Sequence, residues 1–196
     1  MQRETMPMRK ISFLVRRPIA RFVRNRRASA AVEFAVIAPI MLTMFFGVDE
    51  FASAVAVDRK VTLVARTLSD LTSQSSSVTD TDLANFTTTA RAILTPYSPT
   101  PLNSTISELY VDPATMTAKV KWSKGSAPRG INSIVSIPAA LLIGDTYLIY
   151  SEVNYTYTPN VGYLISKTLG VPLSDFTYTR PRQSACVLYN TTTCPT

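Results

Sequence analysis

The most distinct pattern in the sequence is an apolar run at residues 28–48, ASAAVEFAVIAPIMLTMFFGV, which contains one charged residue, Glu33. At about 1.5 Å per residue, a helix of this length spans roughly the 30 Å hydrocarbon core of a bilayer. Glu33 lies near the start of the run, where a carboxylate reaches the interface and costs less free energy than at mid-bilayer. The run therefore predicts a transmembrane helix. A cleaved secretory signal is less favoured, because the run is long and no A-x-A site follows before Asp49.

Helical periodicity continues beyond the apolar run. From Val48 to Leu71 no glycine or proline interrupts the pattern, and apolar residues recur at steps of three and four or multiples of them. We expect one continuous helix at about 29–72. The polar stretch SQSSSVT then ends it, and Thr79 or Asp80 can cap a shorter helix that runs to about Leu94. The predicted packing stripe of the long helix consists of Phe51, Val55, Val61, Val64, Leu68 and Leu71.

The period changes to two after the proline-rich stretch at 95–102, which predicts a β-sheet. We expect residues 104–111 to pair with residues 116–123 as a hairpin, with the turn at 112–115. The second of these strands is predicted to place alternate side chains on one buried face. Those side chains are Met116, Ala118, Val120 and Trp122.

The last third of the chain predicts two further strands and a short helix. Residues 146–158 form a strong strand pattern. Their alternating Tyr and Thr side chains are typical of an ordinary half-exposed strand, and they could also bind a sugar or the sheet edge of a partner. Residues 160–169 predict a short helix with Gly170 as its C-cap. Residues 176–189 predict a last strand, which the proline at 181 confines to an edge or a bulge. The strand pattern predicts one buried face, made of Tyr147, Ile149, Val153, Tyr155 and Tyr157.

The net charge of +7 belongs to the N-terminal tail alone. Residues 1–27 carry nine Lys/Arg against one glutamate, and the remaining residues carry a net charge of −1. Basic residues accumulate on the cytoplasmic side of a membrane helix. Arg24, Arg26 and Arg27, which stand directly before the apolar run, therefore predict a cytoplasmic N-terminus and an exported C-terminal half.

The basic tail has two interpretations that the sequence leaves open. It is a plain topology signal, or a short amphipathic stretch that lies on anionic headgroups. Nucleic-acid binding is disfavoured, because the tail lacks aromatic stacking residues and any recognised module.

The composition argues against an enzyme. The chain contains no histidine and only two cysteines, which removes the commonest general base, the commonest metal ligand and the Ser-His and Cys-His nucleophiles. We therefore expect no catalytic residues, no metal, no cofactor and no small-molecule substrate. The remaining option is a pair of carboxylates brought together by the fold, from Glu108, Asp145 and Glu152.

The residues around the start of the apolar run resemble a known family. The block 26–35, RRASAAVEFA, is followed by Pro39 and then by Gly47 and Glu50-Phe51. This block resembles the N-terminus of TadE/TadG-like proteins of bacterial tight-adherence (Tad, or Flp) pilus systems. The later stretches YTYTP at 155–159 and RPR at 180–182 are similar to features of the same family, although Tyr/Thr alternation is also common in ordinary strands.

The resemblance implies a type IV pilin-like precursor with a processing site before the apolar helix. With Glu33 as the fifth mature residue, a prepilin peptidase would cut after Ala28 and make Ser29 the first residue. The new α-amine would lie near the bilayer edge, where the Glu33 carboxylate of a neighbouring helix could pair with it and set subunit register. The alternative for Glu33 is a lone interfacial carboxylate.

The sequence departs from the family pattern at the residue before the cut, where pilin-like precursors usually have glycine and this chain has Ala28. If the methyl group of Ala28 prevents cleavage by the peptidase, the protein stays an uncleaved, membrane-anchored assembly protein. Phe34 and Pro39 are the further residues expected to take part in helix register or assembly. Pro39 removes one helix hydrogen bond and permits a kink, or it is present for packing reasons. Cys186 and Cys194 fall in the exported half, where a structural disulfide is expected.

Together these patterns predict an α+β, pilin-like, single-pass protein of a bacterial inner membrane, with a periplasmic C-terminal domain. We expect a tail at 1–27, a transmembrane helix at 28–48, a helical region at 49–94 and an antiparallel-sheet domain at 95–196. The predicted function is a non-enzymatic Tad pilus or secretion component, as a minor pseudopilin or assembly anchor. Its partners would be other pilin-like helices, the assembly platform and a prepilin peptidase. The alternative is a membrane-anchored periplasmic binding or adhesion domain unrelated to pili.

Overall fold

The computed structural model of the protein describes residues 26–159 and 170–195, with side chains from residue 30 onward. The chain forms two compact units, Met1–Asp49 and Glu50–Thr196; the second is called the sheet domain below. The elements are α1 (Arg26–Ser73), β1 (Ser77–Val78), α2 (Asp80–Ala92), β2 (Asn103–Asp112), β3 (Thr117–Gly125), β4 (Ile134–Val135), a 3₁₀ turn (Ala139–Leu141), β5 (Thr146–Tyr157), β6 (Val171–Thr179) and β7 (Leu188–Tyr189).

The two helices predicted in the first half of the chain are present. The structure confirms the long helix as α1, which is continuous for 48 residues and includes Pro39. Helix α2 begins after Thr79, whose hydroxyl accepts a hydrogen bond from the Asp82 amide while the Asp82 carboxylate accepts one from the Thr79 amide. This reciprocal capping box satisfies two amide groups that the first helical turn leaves without partners.

In the described ranges, five strands form one antiparallel sheet in the order β4-β3-β2-β5-β6. The predicted hairpin is present, with Asp112 paired to Thr117 across the turn. A separate two-stranded parallel sheet joins β1 to β7. The protein is therefore of the α+β class, with a long N-terminal helix and an antiparallel sheet.

The sheet has a buried layer on each face. One face packs against α1 and α2 through Ile106, Trp122 and Ile149, and the predicted face of β5 is buried there or beside it, as expected. The opposite face carries Leu109, Val120 and Leu148, and the segment that contains the 3₁₀ turn covers part of it. The helix residues that close the first layer are Val57, Val61, Val64, Ala65 and Leu68.

The predicted alternation along β3 was wrong at Trp122. The register shifts between Glu108 and Leu109, so that Leu109 pairs with Val120 while Glu108 pairs with Trp122, and Lys121 is the extra residue of a β-bulge. One extra residue reverses the faces that follow, because side chains alternate with a period of two. Trp122 therefore packs on the helix side of the sheet. The predicted burial of Met116 was also wrong, because Met116 lies in the turn with φ 52° and is exposed.

The predicted packing stripe on α1 was wrong at its first two positions. Phe51 is 71% exposed and Val55 is 37% exposed, and the buried stripe begins at Val57. At 100° per residue, Val55 lies about 200° from Val57 around the helix, so the two cannot face the same sheet.

The last strand also differs from the sequence prediction. It begins at Val171, contains Pro172 and ends at Thr179, before the predicted proline position. A proline near the start of an edge strand is tolerated because its missing amide is not needed by a neighbour. The chain regains strand structure only in the two residues of β7. The helix predicted at 160–169 lies outside the described residues.

Candidate functional site

The apolar part of α1 presents its side chains on all sides. Every side chain from residue 30 to 49 is exposed except Ala38, which is half-buried. The exposed set includes Phe34 at 71% and Phe45 at 67%. Within the described residues, α1 is the one helix long and apolar enough to cross a membrane, with a mean hydropathy of 2.0 over its most apolar window. A continuous apolar surface of this kind requires cover, and single-pass anchoring in a bilayer is consistent with it.

The predicted processing position lies at the beginning of this helix. The backbone is already helical from Arg26, so the bond between Ala28 and Ser29 lies within the first turn. Position 33 follows one turn after position 29 on the same helix face. The Glu33 side chain is exposed in the single chain. Arg24 lies outside the described residues, and only the backbone is described for Arg26 and Arg27.

Pro39 lies within the apolar segment without ending the helix. Its ring cannot donate a hydrogen bond to the carbonyl four residues earlier. The Thr43 hydroxyl donates to the Pro39 carbonyl oxygen at 2.8 Å, so that side chain and backbone share this acceptor. The structure thus places Glu33, Phe34 and Pro39 on one exposed apolar helix.

The two stretches that carried the family resemblance meet inside the sheet domain. The Tyr157 hydroxyl donates to the Glu50 carboxylate at 3.0 Å, and Tyr157 is 3% exposed. Burial, followed by this hydrogen bond, raises the pKa of Tyr157 to about 12. The contact ties the end of β5 to α1 directly after the apolar segment. Nearby, the Lys60 ammonium donates to the Ile93 and Thr95 carbonyl oxygens, each at 2.8 Å, and neutralises the C-terminal end of α2.

The C-terminal segment, residues 184–195, closes on itself and on the sheet. Cys186 and Cys194 form a disulfide, and Cys186 is fully buried. The next residue, Val187, is held through both backbone groups. Its amide donates to Glu108 Oε1 at 2.6 Å, and its carbonyl oxygen accepts from Trp122 Nε1 at 2.9 Å. The disulfide therefore lies beside a buried polar arrangement that the sequence did not reveal.

Glu108 is the most unusual ionisable residue among those described. Its side chain is fully buried, and Oε2 has no hydrogen-bond partner among the residues that the structure describes. Burial raises its pKa from 4.5 to about 7, although the Val187 amide favours the charged form. Glu108 also affects Tyr147. The pKa of Tyr147 is raised by burial and then by the negative charge of the Glu108 carboxylate. The sequence did not mark Glu108 as buried. Strand β2 is buried on both faces, so the alternation of polar and apolar residues that shows which face of a strand is exposed is missing there.

The candidate carboxylates do not form a shared acid–base pair in the described residues. Glu152 accepts two hydrogen bonds from the Arg129 guanidinium, each at 2.6 Å. Asp145 accepts one from the Tyr110 hydroxyl at 3.2 Å. Glu108 interacts instead with the Val187 backbone. In the described ranges, no group of three His, Cys, Asp or Glu residues is arranged to hold a metal ion.

A comparison with protein families gave a match to one segment of the chain. A family model described as TadE-like protein matches residues 28–69, which include the apolar segment, Glu33, Pro39 and Glu50. The match confirms the resemblance over this segment. The strands of the sheet domain lie outside it. No curated protein and no solved structure gave a match to the chain.

Proposed function

We propose that the protein is a non-enzymatic, membrane-anchored component of a Tad pilus or secretion machine, acting as a minor pseudopilin or assembly anchor. The observation that carries the proposal is the match of residues 28–69 to the TadE-like model on a helix whose apolar part is exposed on all sides. A basic tail before this helix favours a cytoplasmic N-terminus and a periplasmic sheet domain in the bacterial inner membrane. Other pilin-like helices and the assembly platform would be its partners.

The proposal gives the beginning of α1 two tasks. A prepilin peptidase would cut between Ala28 and Ser29, and the released amine would pair with Glu33 of a neighbouring helix. Two opposite charges in a medium of low dielectric attract strongly, so such a pair would offset the cost of holding each charge near the membrane. The family match begins at residue 28 and contains Glu33, which supports this arrangement.

The mature N-terminus of the protein from native membranes, measured by mass spectrometry, distinguishes the two roles. A start at Ser29 supports a processed pseudopilin, and an intact Met1 supports a permanent anchor. Ala28→Gly restores the usual residue before the cut and should increase processing, whereas Ala28→Leu should abolish it. Ala35→Leu, a matched change inside the apolar run, should leave processing unchanged.

Deletion of the gene tests the proposal as a whole. We expect loss of surface pili, counted by electron microscopy, and recovery when the intact chain is supplied from a plasmid. Normal piliation of the deletion strain would contradict a role in pilus assembly.

A further inference from the structure

The outer edge of strand β6 has no paired strand among the residues that the structure describes. This strand is the last of the sheet and is nine residues long. The opposite sheet edge, β4, has only two residues. Long edge strands present unpaired amide and carbonyl groups, and proteins usually shorten or cover them. Pro172 lacks an amide near the start of β6, and the Phe176 amide donates to Asp175 Oδ1 at 2.8 Å.

A groove of about 340 Å³ runs between this edge and α1. The Ser69 hydroxyl holds the two walls together, because it lies 2.8 Å from the Thr179 hydroxyl and hydrogen-bonds to it. The groove is lined by Arg66, Thr67, Asp70, Leu71, Thr177 and Thr179.

The groove carries an uncompensated positive charge. Arg66 is exposed and makes no hydrogen bond or ion pair with the residues that the structure describes. Asp70 does not neutralise it, because this carboxylate pairs with Arg182 at 2.5 Å and accepts from Gln74 at 2.6 Å. A ligand that reaches Arg66 therefore gains from carrying a carboxylate.

The other face of the same strand carries an exposed aromatic ring. Phe176 is 58% exposed and touches Tyr150 and Tyr178, with ring centroids 6.1 and 5.7 Å away. A strand added beside β6 would therefore have two faces with different neighbours. The face toward α1 would lie near Arg66 and Leu71, and the opposite face would lie near Phe176. Successive side chains of a strand point to opposite faces, so one segment can serve both.

We propose that the β6 edge binds an extended segment of a partner protein as an additional strand, with acidic side chains toward Arg66 and apolar side chains toward Phe176. Backbone hydrogen bonds would supply affinity, and the alternating side chains would supply specificity. A second copy of this chain fits less well: its β4 edge, Ile134–Val135, has no acidic residue, and the one acidic residue of its β6 edge, Asp175, already accepts a hydrogen bond from the Phe176 amide. The proposal uses only the sheet domain and stands apart from the role in pilus assembly.

Labelled decapeptides test this edge on the full-length protein in nanodiscs. The first peptide alternates Glu and Val, the second alternates Lys and Val, and the third is the Glu–Val peptide methylated on every backbone nitrogen. Fluorescence anisotropy should show binding of the Glu–Val peptide about ten-fold or more tighter than that of the Lys–Val peptide. N-methylation should abolish binding, because it removes the donors needed for strand pairing.

Two pairs of variants locate the site. Arg66→Glu should weaken the Glu–Val peptide about ten-fold or more, whereas Arg59→Glu, the same change on an exposed position of α1 outside the groove, should alter affinity less than about two-fold. Phe176→Ser should weaken binding, whereas Ile131→Ser, a change at another exposed apolar residue, should not.

Several results would overturn the proposal. These are no binding of the Glu–Val peptide at millimolar concentration, equal binding of the methylated or Lys–Val peptide, or equal effects of Arg66→Glu and Arg59→Glu. Self-association that Arg66→Glu abolishes, without peptide binding, would replace the partner segment by a second copy of the chain.

Discussion

Glu108 Oε1 accepts a hydrogen bond from the Val187 amide at 2.6 Å, although the Glu108 side chain is fully buried and its second oxygen has no partner in the described part of the chain. The bond joins the middle of the sheet to the residue that follows Cys186. A buried ionised carboxylate with one unsatisfied oxygen is costly, so the folded protein favours the protonated form of Glu108. The C-terminal segment is therefore attached to the sheet through a group whose charge depends on pH.

The first prediction concerns pH and stability. Glu108 has an ordinary pKa of 4.5, expected in the unfolded chain, and a pKa of about 7 in the folded protein. Between these values the folded state binds more protons, so the free energy of unfolding should fall as the pH rises from about 4.5 to 7. The loss should approach about 3 kcal/mol. Denaturant unfolding of the detergent-solubilised chain, followed by the fluorescence of Trp122, measures it.

Glu108→Gln serves as the test variant, because it retains the acceptor for the Val187 amide and removes the titration. The dependence on pH should become flatter in this range. Asp58→Asn, a matched change on the exposed side of α1, should keep the dependence of the unaltered protein. Equal slopes for the three proteins would show that Glu108 does not titrate in this window.

The second prediction concerns the disulfide. Cys186 and Cys194 are eight residues apart, so the disulfide closes a short loop. Loss of the disulfide should therefore lower the free energy of unfolding by about 2.5 kcal/mol. Reduction of the native chain and the double change of both cysteines to serine should give similar losses in guanidinium unfolding. The double variant should itself be insensitive to reductant, and a further loss on reduction would contradict the assignment.

The third prediction concerns the last residue of β3. Gly125 has φ 138°, and a Cβ atom there would lie 2.2 Å from the Ser104 carbonyl oxygen. Gly125→Ala should therefore destabilise the sheet domain by about 2 kcal/mol or more, through backbone strain and a clash with backbone that cannot rotate away. Gly130→Ala is the control, because nothing lies within 4 Å of its added Cβ. Thermal unfolding of both variants should lower Tm for the first and leave it nearly unchanged for the second.

The fourth prediction concerns Glu33. Glu33→Leu makes the apolar segment more hydrophobic, so membrane insertion should be retained, as measured by carbonate extraction. If Glu33 pairs with the amine of a neighbouring helix, the variant should fail to support piliation in the deletion strain. Glu33→Asp keeps the charge and should retain partial function. Full piliation by Glu33→Leu would remove the pairing role and leave Glu33 as an interfacial carboxylate.

Local pattern was sufficient for the elements that depend on near neighbours in the chain. The continuous α1 helix, the capping box at Thr79, the hairpin across Asp112 and the buried face of β5 follow from periodicity and turn chemistry. The apolar segment and its resemblance to TadE-like proteins were also readable, because lipid compatibility and the motif are properties of consecutive residues. These features need no knowledge of which distant segments meet.

The tertiary structure decided everything that depends on two distant segments meeting. The bulge at Lys121 turned Trp122 toward the helices, and it arises from the pairing of β3 with β2. Glu108 became a buried group of raised pKa because Val187, far along the chain, closes over it. The groove between Arg66 and Thr177 exists only because α1 packs beside the sheet edge. Alternation in sequence specifies which side chains share a face, but pairing register and burial depend on the whole fold, so these sites had no local signal.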